Sequence, residues 1–319
     1  KCAIPAQEEV ATKLGRWLPP DMRVAGLVST GMEAAEFALR LAATHTGRRE
    51  FLGLARSMHG KSGMTAALCW DNALLRSAQV HTLPFVDEVD EGRLLGLAAE
   101  ALAGRRIAAL FLEPVQGSNG GHQASPACYQ ALARLCREHG TLLVVDEILC
   151  GLFRCGEPFL STALGLQPDL LLLAKTMGNG IPASAVAAAT AIGVPPQAMA
   201  GSTFAANPLA MAAVGGTLDA MLALPLGDLV ADVSRELQGA FASLVTEGAV
   251  TLRGRGALWF VHCEDSVDFE RALAAMHHRR VLVTTTGRSI RLLPAANIPL
   301  PLLREACGHL AAALAGARV

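Results

Sequence analysis

Short, continuous apolar runs punctuate the chain at residues 51–55, 107–112, 142–145, 170–173 and 185–189. Their hydrophobicity is unbroken rather than alternating, as in strands covered on both faces. Between them, apolar positions recur at helical spacing near Glu33–His45, Pro126–His139 and Pro208–Leu222. This alternation predicts a large doubly wound α/β domain, residues 1–222, built on a mostly parallel sheet. Past Pro225 the pattern changes to a helix near Leu229–Val245, a strand at Ala257–Cys263 and a helix through Phe269–Arg279. Short strands at Val281–Thr284 and Ser289–Leu293 and a helix from Leu302 follow. That is the pattern of a smaller C-terminal α+β domain, residues 223–319, into which the Pro208–Leu222 helix is expected to run.

Composition narrows the classes. The chain has 319 residues, 52% of them hydrophobic, enough to bury a sizeable core. Its mean hydropathy is positive, yet no apolar segment approaches the roughly 20 residues of a spanning helix, so no membrane role is expected. A formal net charge of −1 without long like-charge blocks argues against nucleic acid as a partner. Eight cysteines are scattered without a CxxC or paired Cys/His spacing, which argues against a metal site and a disulfide framework. Reduced thiols in cytoplasm are the expectation. No signal-peptide pattern is visible, and the chain opens at Lys1 without Met.

Two of the apolar runs end in ionisable residues of opposite sign. Thr141-Leu142-Leu143-Val144-Val145 closes on Asp146, and Asp169 through Ala174 closes on Lys175. Neighbouring buried strands would bring this carboxylate and amine to one sheet edge. A buried lysine has a lowered pKa and can condense with a carbonyl, and a carboxylate can hold a protonated ring nitrogen. A strand-end lysine snorkelling to water, and an aspartate capping the next helix, fit each residue taken alone. Gly31, opening a helix after Val28-Ser29-Thr30, can present backbone N–H groups to an anion, though a plain N-cap with Glu33 in the first turn fits as well. Ser202-Thr203 leaves the same two readings open. His59, in the loop His59-Gly60-Lys61-Ser62, gains no role from its chemistry alone. Arg291, inside an apolar strand, needs an anion, either a protein carboxylate or a substrate's.

These residues together resemble class III pyridoxal-phosphate aminotransferases, the family of ornithine, acetylornithine, 4-aminobutyrate and ω-amino acid transaminases. The resemblance runs from about Val10 to about Ile298. It rests on Val145-Asp146-Glu147 through Gly156, Gln167-Pro168-Asp169, Ala174-Lys175 and Gly178 through Pro182. Thr30-Gly31-Met32-Glu33-Ala34 is similar to the family's phosphate-binding turn, Met58-His59-Gly60 to its ring-stacking motif, and Glu113-Pro114-Val115-Gln116-Gly117 to its Glu-Pro-x-Gln-Gly. Gly201-Ser202-Thr203-Phe204 through Asn207-Pro208, Arg253-Gly254-Arg255-Gly256 and Arg291-Leu292-Leu293-Pro294 complete the order.

The resemblance implies a fold type I, homodimeric enzyme that moves an amino group between a small-molecule amino donor and an oxo-acid acceptor by a ping-pong mechanism. Lys175 would carry pyridoxal 5'-phosphate as a Schiff base and shuttle the substrate proton. Asp146 would keep the ring nitrogen protonated. Gly31 and Met32 would bind the phosphate, with Thr203 reaching it from the partner subunit. Met58, His59 and Ile148 would complete the cofactor site, and Arg291 would grip a substrate carboxylate. Met58 replaces the usual aromatic residue, Leu149 a Gln that contacts the cofactor's 3'-oxygen, and Ser118-Asn119-Gly120 a Glu-x-Gly that masks the arginine in several relatives. The family also has N-terminal elements ahead of the region where this chain opens. An aminomutase, racemase or decarboxylase of the same family, or a non-catalytic remnant, stands as the alternative.

Overall fold

The computed structural model describes residues 4–69, 79–196, 198–199 and 201–319. Two compact units divide the chain. The first takes in residues up to 117, 123–152 and 158–224, the second residues 118–122, 153–157 and 225–319.

The first unit opens with α1 (Pro5–Gly15), β1 (Met22–Val28), α2 (Gly31–Thr46), β2 (Glu50–Leu54) and α3 (Gly63–Ala67). It continues through β3 (Val80–Leu83), α4 (Glu91–Ala103), β4 (Ile107–Leu112), α5 (Pro126–His139) and β5 (Leu142–Asp146). It ends with α6 (Leu160–Ala163), β6 (Leu170–Leu173), β7 (Ser184–Ala189) and α7 (Pro208–Ala223). Its seven strands form one sheet in the order β1-β7-β6-β5-β4-β2-β3. The neighbours from β6 to β3 pair in parallel, whereas β7 is antiparallel to both β6 and β1.

The unbroken apolar runs follow from burial on both faces. Phe51, Ala109, Phe111, Val144, Leu170, Leu172 and Val186 pack with the Ala34–Ala42 face of α2 in one core. Their alternates Leu52, Leu110, Leu143, Val145, Leu171 and Ala187 are buried as well, because successive strand residues point to opposite sides. Local signals fix the helix ends. In α2, Thr30 and Glu33 form a reciprocal capping box, and Gly47 closes the helix at φ 69°. In α5, Ser125 caps, Pro126 occupies the first turn, and Gly140 ends the helix in the same left-handed conformation. The α7 helix lies in the first unit, capped by Asn207 and packed along α1.

The second unit holds α8 (Leu226–Thr246), β8 (Val250–Arg255), β9 (Leu258–Cys263), α9 (Phe269–His278), β10 (Thr284–Thr286), β11 (Ser289–Leu292) and α10 (Leu300–Gly316). Its antiparallel sheet runs β10-β11-β9-β8. Val230, Leu237 and Phe241 of α8, Met276 of α9 and Leu303 and Leu310 of α10 share one core with Val261 and Ile290 of the sheet. The strand expected at Val281–Thr284 begins instead at Thr284. The Val281 N–H still donates to the Met276 carbonyl at the end of α9, after Arg280 turns at φ 59°. Among the described residues no single helix is long and apolar enough to cross a membrane.

Candidate active site

Parallel pairing of β5 with β6 sets Asp146 opposite Leu172, so both strand ends open on one edge of the sheet. There lies a cavity of about 370 Å³, lined by Ser29 through Met32, Met58 through Gly60, Ile148, Ala174-Lys175 and Gly180 through Ala183. That volume falls in the range of about 300–1,000 Å³ usual for small-molecule sites. The edge is made where every approaching chain segment turns: after β1, after β2, after β5 and after β6.

Lys175 stands on the cavity wall and is exposed. This corrects the expectation of a buried amine. Four buried leucines do precede it, but β6 ends at Leu173 and Lys175 lies in the turn beyond. Asp146, by contrast, is buried, on the parity of Leu142 and Val144 that faces α2. Its Oδ2 lies 2.8 Å from His59 Nδ1 and its Oδ1 accepts the Ile148 N–H at 3.0 Å. Asp146 thus sits behind His59 and Ile148, both of which reach the cavity wall.

His59, which residue chemistry alone left without a role, is 1% exposed. Burial works against its charged form, but the Asp146 carboxylate, with a smaller contribution from the charge of Glu113, outweighs burial and raises its pKa. Its backbone N–H donates to Cys69 Sγ at 2.8 Å, and its ring meets Phe111 edge-on with centroids 5.6 Å apart. Glu113 was visible in the sequence only as part of a motif. It is buried just past β4 and accepts the Met58 N–H at 2.8 Å and the Gly117 N–H at 3.2 Å. Burial pushes its carboxyl up to about 7.

The start of α2 supplies the anion-facing wall. Thr30 Oγ1 accepts the Glu33 N–H at 3.2 Å, and Glu33 reaches back to the Ser29 and Thr30 N–H groups. The plain-cap reading is therefore realised, and it leaves the first-turn N–H groups of Gly31 and Met32 without an intrahelical acceptor beside the cavity. Ser184 of β7 pins this turn by donating to the Thr30 carbonyl at 2.7 Å. A Cβ on Gly31 would lie 2.7 Å from Ile148 Cδ1, so the glycine keeps that wall open.

The remaining sequence candidates fall elsewhere. Thr203 is exposed and does not line the cavity of its own chain. Arg291 belongs to the second unit, half-buried in β11 between Phe260 of β9 and Thr284 of β10. Leu149 does not line the cavity either and packs toward Gly117, where an added Cβ would meet it at 2.1 Å.

The donor set fits pyridoxal phosphate. It offers an amine on the wall, helix N-terminal N–H groups held open by a glycine, and a buried acid–imidazole pair whose His59 Nε2 has no hydrogen-bond partner among the described residues.

The model of the class-III aminotransferase family matches residues 3–314. Acetylornithine aminotransferase of Streptococcus mutans is 31% identical over 306 residues, 94% of this chain and 77% of that protein. The acetylornithine aminotransferase of Bacillus subtilis is 31% identical over 317 residues, 97% of this chain and 80% of its own length. Among solved structures, the ornithine aminotransferase from Toxoplasma gondii superposes with a TM-score of 0.85 at 25% identity, covering 98% of this chain and 75% of that one. An S-selective transaminase from Bacillus megaterium shares the fold at a TM-score of 0.89 and 20% identity, over 99% of this chain and 81% of that one.

The chain belongs to the class-III aminotransferases, with the fold type I architecture of pyridoxal-phosphate enzymes. It is a pyridoxal-phosphate-dependent transaminase, moving an amino group between an amino donor and an oxo-acid acceptor. The aminomutase, racemase, decarboxylase and remnant alternatives are not favoured.

Proposed function

We propose that the cavity at the ends of β5 and β6 is the transamination centre, with Lys175 as its amine and Asp146 as its buried acid. The observation that carries the proposal is the convergence of Lys175, the Gly31-Met32 N–H groups and the His59–Asp146 pair about one cavity. Pyridoxal phosphate, when bound, supplies an aldehyde that condenses with amines and a ring that withdraws electrons from the substrate Cα. Lys175 Nζ takes the proton from that carbon and returns it on the other side of the transfer. Asp146, set behind His59 and paired with its imidazole, supplies the negative charge that keeps a ring nitrogen in the cavity protonated. Gly31 and Met32 hold the phosphate by backbone N–H, and Ile148 and Met58 confine the ring, Met58 by a polarisable thioether.

The substrates in this proposal carry a free carboxylate, as acetylornithine does, the amino acid for which the two relatives are named. Arg291 grips that carboxylate in a two-pronged pair. Arg291→Ala should raise KM for carboxylate donors and leave any reaction with simple amines unchanged; equal loss on both makes Arg291 structural. The working unit is a homodimer in which Thr203 serves the partner's phosphate. The exposure of Phe204 and Leu209 beside it, 75% and 70%, supports a covered face there. Seven free, buried thiols among the described cysteines support a reducing, cytoplasmic location.

Reductive trapping tests the site. Borohydride treatment of the cofactor-loaded protein should leave the cofactor's mass on the peptide containing Lys175. Trapping on another lysine, such as Lys61 in the cavity loop, would overturn the assignment.

A further inference from the structure

We propose that Glu113 is a positioning residue for amino transfer: its buried carboxyl fastens the Met58–Gly60 loop to the end of β4 and so holds the His59 imidazole against Asp146. This rests on the cavity being the transamination centre.

The loop after β2 is held from one short turn. Gln116 Nε2 donates to the Ala55 carbonyl at 2.9 Å and to Ser57 Oγ at 3.2 Å. Glu113 adds the Met58 N–H at 2.8 Å through Oε1, while its Oε2 takes the Gly117 N–H at 3.2 Å and so braces the same turn. Met58, His59 and Gly60, the residues that reach the cavity, come immediately after these attachments.

A neutral amide could accept one of those N–H groups at far lower desolvation cost than a carboxylate, which is expensive to bury without a counter-charge. The counter-charge available is His59. Glu113 acts on the His59 charge together with Asp146, which makes the direct 2.8 Å contact. The titratable groups whose charges couple to Glu113 are His59 from the β2 loop, Asp146 from β5, Cys69 beyond α3 and Tyr129 of α5. Burial raises both the Cys69 thiol, to about 11, and the Tyr129 phenol, so neither carries charge at neutral pH. Of the four, His59 alone becomes a cation. Glu113 does not line the cavity. It acts through His59 and Met58, holding the imidazole that pairs with Asp146 and the loop that confines the ring.

The test uses the full chain. In the apoprotein with ¹⁵N-labelled histidine, Glu113→Gln should lower the pH at which His59 loses its ring proton. Absorbance titration with pyridoxal phosphate should give a dissociation constant raised about tenfold, the size expected for one lost charged contact. Glu113→Asp, which keeps the charge but shortens the reach, should restore the His59 titration more fully than the cofactor affinity. Unchanged His59 titration and unchanged cofactor binding in Glu113→Gln would overturn the proposal.

Should Glu113→Gln fail to fold, the wild-type protein decides. The Glu113 carboxyl ¹³C and His59 ring ¹⁵N signals should each show the other's inflection, as coupled sites do. Independent single-site curves would overturn the proposal. These apoprotein readouts do not involve Lys175, so trapping on another lysine would sink the site assignment and leave them standing.

Discussion

Glu147, next to the acid of the candidate site, gives a sharp test of how the protein manages buried charge. Its carboxyl accepts the Leu160 N–H at 2.7 Å and the Ser161 N–H at 2.7 Å, anchoring the start of α6. Burial nonetheless pushes its pKa from 4.5 up to about 7, against those hydrogen bonds and with Asp146 adding to the rise. An acid held higher in the folded state than in the unfolded chain stabilises the fold fully below the unfolded value. That stabilisation is lost as pH rises through the folded value. At about 1.4 kcal/mol per unit, the span from 4.5 to about 7 corresponds to ~3 kcal/mol, of which about 2–3 kcal/mol is lost between pH 5 and 8. In Glu147→Gln this dependence disappears. The amide keeps one acceptor oxygen and turns its NH₂ toward the other backbone N–H, costing about 1–3 kcal/mol. The variant should therefore be less stable than wild type at pH 5, and the gap should close or reverse by pH 8. Urea denaturation of the two apoproteins at pH 5, 6, 7 and 8 measures the gap, and the contribution of Glu113, raised in the same direction, cancels in the difference. A gap that stays constant across that range would refute the reasoning.

Three further outcomes follow from the site. Asp146→Asn removes the charge opposite His59 Nδ1, and the rate of amino transfer should fall at least a hundredfold, about 3 kcal/mol in the barrier; near-native single-turnover rates would exclude the role. Gly31→Ala sets a Cβ 2.7 Å from Ile148 Cδ1, so cofactor affinity should drop about tenfold while stability changes by under ~1 kcal/mol, and Ile148→Val in the same chain should recover part of the loss. If that recovery is absent, the two side chains do not share the wall. Dilution into the monomer range should release cofactor if Thr203 serves the partner's phosphate, and a monomer that retains full occupancy would rule this out.

Much of the first unit was legible in the sequence because double-sided burial leaves an unmistakable mark. Ile107–Leu112 and Leu170–Leu173 are strands at the residues expected, and Pro126–His139 begins and ends where Ser125, Pro126 and Gly140 signal it. Edge elements were not legible. Both β1, whose middle is only half-buried, and the four-residue β3 lack a continuous apolar run. In the second unit, β8 reads Val-Thr-Leu-Arg-Gly-Arg and buries only its first residue, so neither alternation nor continuity betrays it. The α4 helix does carry local signals in its sequence, a cap at Asp90 and an apolar stripe at Leu94, Ala98 and Leu102.

The site divides in the same way. Asp146 and Lys175 were legible because each closes a buried run, and register then fixes them to one edge. His59 and Glu113 were not, because the contact of Glu113 with the Met58 N–H beside His59 depends on β2 and β4 lying side by side, which no local spacing encodes. The exposure of Lys175 could not be read from its leucines, since burial of a strand says nothing about the turn that follows it.

The central claim is that an amino group leaves one substrate, waits on the enzyme and joins another. Cofactor-loaded protein would be mixed with a ¹⁵N-labelled amino acid bearing a free carboxylate, separated from the unused donor, and then given an oxo acid. The account predicts about one labelled amino acid formed per active site, and none in Lys175→Ala. A donor that loses carbon dioxide, racemises or shifts its amino group internally, with no label passed to the oxo acid, would contradict it.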